Sequence, residues 1–232
     1  MFSKKTFLVA AGILIVSVFP LWAGDAASFA DLGFSPDGKF FMFAQYGVQS
    51  RTLKPWADLF VVDVARNNFV SGGRVSYVHD SPVIAGQDGS GALYRIIARN
   101  TALADQYRLN YLNQGQPLYI ALNGDFSGSE SIDFRDFESG ATYKANLVSY
   151  IEGAAENLKS SFFINLENTS RDGVRKNYTV GNPQIKRPLI GAYRIRKVMK
   201  APHDGSMIFV IEMKRQSEGD TDTRYMVEAL RL

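Results

Sequence analysis

The chain has no cysteine among its 232 residues. That removes disulfides, thiol nucleophiles, cysteine-based metal sites and the acylated cysteine of a lipoprotein. An exported form would have to hold by its core alone. Histidine is nearly absent too, with only His79 and His203. A zinc site would need carboxylates gathered from across the fold, and a Ser-His-Asp site would have to be assembled in space around one of the two. The chain contains no G-x-S-x-G elbow, no S-x-x-K, no P-loop and no G-x-G-x-x-G opening a helix. A charge excess is missing as well, since 26 Lys and Arg face 23 Asp and Glu. A dedicated nucleic-acid binder needs a concentrated basic face, so nucleic acid is not an expected partner. After the first two dozen residues no apolar run approaches transmembrane length.

What is present begins with a leader. Lys4 and Lys5 form a positive start, Phe7 to Phe19 is apolar, Pro20 breaks the run, and Ala23 supplies a small residue before Gly24. Residues 1–23 therefore read as a signal peptide cut near Ala23, with a periplasmic or secreted product. Its removal takes the 26 basic residues to 24 against 23 acidic ones, a net charge of +1. The remainder, 24–232, fits one domain with a substantial core. An apolar content of 46%, with 16 Phe and 11 Tyr, favours a folded, β-rich chain.

The chain is organised around Gly33-Phe34-Ser35-Pro36-Asp37-Gly38 and the apolar strand after it, Lys39 to Ala44. Pro36 presets the first corner of a β-turn, Asp37 can bond its own backbone, and Gly38 takes the positive φ that follows. Asp58 to Val64 is a second β-branched run, closed by a turn at Ala65-Arg66-Asn67-Asn68. A fainter P-x-D-G turn at Pro202 to Gly205 precedes Met207 to Ile211. F-S-P-D-G-K, an apolar strand and then D-L-F-V-V-D resembles a blade of the TolB-type β-propellers. Over about residues 30–110, from Gly33 through Tyr46-Gly47 to the Asp58–Ala65 strand and Gly89-Ser90-Gly91-Ala92, the chain resembles a family of bacterial predicted secreted proteins of unknown function. It departs from that pattern at Arg51 to Trp56. The resemblance implies a compartment and no activity.

Ser90 is placed to cap an amphipathic helix at about 91–109, with Leu93, Ile96, Ile97, Leu103, Ala104 and Tyr107 on one stripe. It is expected to cover one face of a sheet. From Tyr143 onward the pattern is antiparallel β, and the alternation in 191–199 breaks at Lys197-Val198, where the strand either bulges or ends. The expected fold is mainly β (α+β), an antiparallel sheet domain with blade-like hairpins and that one helix. A small or irregular β-propeller is the alternative.

Two groups of residues are candidates for function. Arg51, Lys54 and Trp56 share a loop, where an exposed Trp beside cations can take a ligand or an envelope protein partner; packing of Trp56 against its own hairpin is the competing reading. Asp125, Glu130 and Asp133, spaced by Ser and Gly, are the one local concentration of oxygen ligands and could collect around calcium, although the spacing is not that of an EF-hand. The function expected is non-catalytic binding or protein interaction. An envelope-directed hydrolase using Asp125 and Asp133 in a cleft is the alternative.

Overall fold

The computed structural model describes residues 24–122, 129–217 and 220–232; the expected signal segment lies outside them. Four strands, β1 (Ser28–Phe34), β2 (Phe40–Val48), β3 (Pro55–Asp63) and β4 (Asn68–Val78), form a first antiparallel sheet in chain order. The turn between β1 and β2 is built as its residues require. The Gly38 N–H donates to the Ser35 carbonyl at 3.0 Å, Asp37 Oδ1 accepts from the Ser35 hydroxyl at 2.7 Å, and Gly38 has φ +69°.

Two short helices, α1 (Ser90–Arg99) and α2 (Thr101–Gln106), cover the outer face of this sheet. The expected stripe is the one that packs: Leu93, Ile96 and Ala104 are buried, and Ile97, Leu103 and Tyr107 flank them. Two details differ from the sequence expectation. The helix is broken at Asn100, whose side-chain amide donates to the Ile96 carbonyl. Ser90 is not the cap either, because Asp88 Oδ1 accepts both its N–H and its hydroxyl.

β5 (Gln116–Ile120) leaves the helices. A second sheet follows: β6 (Ser129–Arg135), β7 (Thr142–Glu152) and β8 (Lys159–Thr169), with β9 (Arg175–Val180) and β10 (Arg187–Pro188) both on the far edge of β8. The third sheet is the hairpin series β11 (Ile190–Lys200), β12 (Met207–Ser217) and β13 (Asp220–Leu230), with β5 added beyond β11. It lies between the other two. Met207, Phe209 and Ile211 of β12 pack toward the second sheet, while Ile208 and Val210 pack toward the first. An unbroken apolar run is what a strand covered on both faces needs.

The fold is thus mainly β, as the sequence indicates. The propeller alternative is not what is seen: the described residues form three sheets, fewer than the four or more blades of a propeller. The two P-D-G-type turns do share geometry. Gly205 has φ +72°, Asp204 Oδ1 accepts the Ser206 N–H at 3.0 Å, and a Cβ on Gly38 would meet Asp204 Oδ1 at 3.4 Å, so the turns sit side by side. The broken alternation at Lys197 is a bulge, with a register shift between Ile195 and Lys197 against β12.

Candidate functional site

The loop candidates separate. Trp56 is the second residue of β3, after Pro55, and is only 5% exposed, with the Arg224 guanidinium over its ring. It is therefore not an exposed loop residue. Arg51 lies exposed in the β2–β3 loop, and Lys54 is half-buried with its carbonyl taken by the Gln49 N–H. Asp125 lies outside the described residues, and of Glu130 the backbone in β6 is described. Asp133 is exposed on β6, opposite Lys144 of β7. Among the described residues no group of three or more His, Asp or Glu is gathered as metal ligands would be.

The roomier site is one the sequence did not nominate, a cleft of about 720 Å³ along the free edge of β13. One wall is the first sheet, where Phe43, Phe60 and Phe69 form a ladder with ring centroids 4.8 and 5.5 Å apart. Phe69 is 36% exposed, and the Arg74 guanidinium lies over its ring at 5.2 Å. The other wall is the segment from Gly181 to Ile190. Arg66, Arg74, Arg187, Arg215 and Arg224 line the cleft against two carboxylates, Asp58 and Glu228.

The floor is defined by which backbone groups point outward. β12 and β13 pair without a register shift, so outward N–H groups fall at every second residue of β13. Three of them are capped from outside the sheet. Thr223 donates to the Asp25 carbonyl at 2.8 Å, Tyr225 to Gln45 Oε1 at 2.8 Å, and Ala229 to Asn67 Oδ1 at 2.6 Å. Both capping amides are oriented by a carboxylate: Gln45 Nε2 donates to Asp58 Oδ2 at 3.1 Å, and Asn67 Nδ2 donates to Glu228 Oε2. Asn67 reaches this position through φ +48°, a conformation Asn tolerates better than most residues. Between the caps, the Val227 N–H faces the cleft, and no described residue bonds it.

Glu228 illustrates the electrostatics. Burial pushes its carboxyl above the ordinary range, against the opposing pull of the Asn67 amide and of Arg187, whose Nη2 lies 3.2 Å from Oε1. Both carboxylate oxygens are thus engaged within the protein. Arg187 also stacks over Phe162 at 4.7 Å, which ties it to the second sheet.

Beside the cleft, residues 24–27 run along the start of β13 through a parallel bridge between Ala26 and Thr223. Arg224 pins them, with Nη2 2.9 Å from Asp25 Oδ2 and 3.3 Å from Asp222 Oδ2, and its guanidinium 4.4 Å over Trp56. Burial raises the Asp25 carboxyl and the Arg224 charge opposes this. The Trp56 indole N–H, aimed at this carboxylate, favours its charged form, although Trp56 Nε1 and Asp25 Oδ1 are both buried without a formed hydrogen bond. Both face Gly47, where a Cβ would come within 3.0 Å of Asp25 Oδ1.

A second cavity, about 580 Å³, holds Tyr77, His79, Asp88 and Ser90. It contains a serine, a histidine and an aspartate, but the Ser90 hydroxyl donates to Asp88 and His79 Nδ1 lies 2.9 Å from the Tyr77 hydroxyl. The serine–histidine bond that would activate a nucleophile is not formed.

The family model described as "Predicted secreted protein (DUF2259)" matches residues 42–231. The chain belongs to this family. The match extends well beyond the opening segment that carries the sequence resemblance, and it covers β3 and β13, the strands that frame the cleft. No curated protein matches the chain, and no solved structure does. Among the described residues, no helix of this family member is long and apolar enough to cross a membrane.

Proposed function

We propose that the protein is a non-catalytic binding module of the cell envelope, exported as one domain of residues 24–232 after cleavage near Ala23. Its binding site is the cleft on β13, and its ligand is an anion with an apolar part. The observation that carries this reading is the pairing of a phenylalanine wall with an arginine-rich lining. Apolar clefts with a few convergent polar groups are the usual form of a ligand site, and aromatic rings beside Arg make strong anchors. The two carboxylates in the cleft hold the amides that cap β13, which suits positioning more than chemistry.

The test is calorimetric titration of the purified protein with 4-phenylbutyrate, with n-hexanol as the uncharged control. Binding of the carboxylate, weakened at least threefold by Arg74→Ala and by 0.5 M salt (roughly a Debye length of a few ångströms), supports the reading. No binding of the carboxylate, or equal binding of the alcohol, overturns it.

A further inference from the structure

We infer that the ligand is a short extended peptide that adds to the edge of β13 at Val227, with an apolar residue followed directly by an acidic one. This rests on the cleft reading above and deepens it.

The argument starts from the outward backbone groups. In β13 a residue whose N–H faces outward also presents its carbonyl outward, so Val227 offers one donor and one acceptor to the cleft. The outward N–H groups on either side, those of Tyr225 and Ala229, are closed by Gln45 and Asn67. An unprotected edge invites indiscriminate strand pairing. Here the amide caps leave one outward N–H open between them, that of Val227, four residues from cap to cap, or about 13 Å at the rise of a strand. Three guest residues fit that window. The edge already accepts extended backbone just upstream, where Ala26 and Thr223 form their bridge.

The direction and pattern of the guest follow. A single residue can exchange both hydrogen bonds with Val227 only in antiparallel pairing. Paired residues point to the same face, and the Val227 side chain packs toward the first sheet. The guest residue opposite Val227 therefore points its side chain at the Phe60–Phe69 wall and has to be apolar. The next guest residue lies opposite Met226, whose side chain packs on the second-sheet side. It faces the wall that carries Ile185 and Arg187, while Arg215 lies further along the sheet, on β12 opposite Asp222 of β13. Arg187 is the cation on that side, held by Glu228 through Nη2, and an acidic side chain at this position meets the same guanidinium. Charge complementarity and the single open backbone pair thus select one occupant from the general class of apolar anions.

The probe is acetyl-Ala-Phe-Glu-amide, compared with its analogue N-methylated at the Phe nitrogen and with 4-phenylbutyrate. The intact peptide is expected to bind, and the N-methyl analogue to bind about tenfold more weakly, the worth of one net hydrogen bond. Acetyl-Ala-Phe-Gln-amide should bind more weakly than the Glu peptide to the wild-type protein and equally well to Arg187→Gln. Val227→Pro removes the outward N–H without touching the β12 ladder and should cost a similar factor; if that variant does not fold, the N-methyl comparison decides alone. Equal binding of the two peptides overturns the inference while phenylbutyrate binding upholds the cleft. Failure of every carboxylate overturns both. A concentration-dependent dimer that excludes the peptide and is abolished by Val227→Pro would assign the edge to a second copy, and would overturn the inference too.

Discussion

Asn67 holds a backbone conformation that most side chains avoid, and it returns two hydrogen bonds across 161 and 162 positions of sequence, to Glu228 and to the Ala229 N–H. Replacing it with alanine leaves a buried N–H and one carboxylate oxygen without partners. Asn67→Ala is expected to cost about 1–3 kcal/mol in urea denaturation. Asn67→Gly eases the backbone but restores neither bond, and should fall between alanine and wild type. Glu228 gives a pH signature. Its folded pKa is raised above the ordinary 4.5 by burial, so its contribution to stability is fully present below about that pH and is lost as pH rises through the folded value. Measured by urea melts from pH 4 to 8, wild type should lose stability relative to Glu228→Gln on the way up. A difference that does not change with pH would refute the assignment.

At the scale of elements, β12 is the strand on which two cores converge. Phe209→Ala removes a fully buried ring from the interface with the second sheet and should cost about 3–5 kcal/mol. Asp88→Ala removes only the exposed bonds at the start of α1, about 1 kcal/mol, and amide exchange should show the loss confined to that helix. These elements were legible in sequence for physical reasons. Met207 to Ile211 is apolar at every position because both faces are covered, the α1–α2 stripe has the helical period, and Lys197 interrupts a period of two. Legibility ended where function depends on register. Nothing local in Tyr225-Met226-Val227-Glu228 says which N–H groups face outward, and Asn67 read only as part of a turn. Trp56 looked like a loop residue because the loop before it and Pro55 obscure the start of β3. Gln45 and Asp58 lie in strands that read simply as apolar.

For the whole molecule the formal net charge is +3, and the cleft gathers five arginines, of which Arg66, Arg187 and Arg224 are ion-paired while Arg74 and Arg215 form no ion pair among the described residues. Ligand affinity should therefore fall with ionic strength more steeply than the overall charge suggests. Acid acts instead where the β6–β7 turn meets Lys200 at the end of β11. Burial raises the Asp136 carboxyl, but bonds from Lys200, Ser139 and the Glu138 N–H outweigh it and hold it below 3.8. Its contribution is present above that pH and is lost as pH falls through the lowered value, opposite in sign to that of Glu228. The central claim is that β13 floors the ligand site, and backbone amide shift mapping by NMR during titration with acetyl-Ala-Phe-Glu-amide tests it most directly. The largest shifts are expected at Val227 and its neighbours and at Phe69, with α1 silent. Shifts centred on the His79–Ser90 cavity or on the outer face of β7 and β8, with Val227 unmoved, would contradict it.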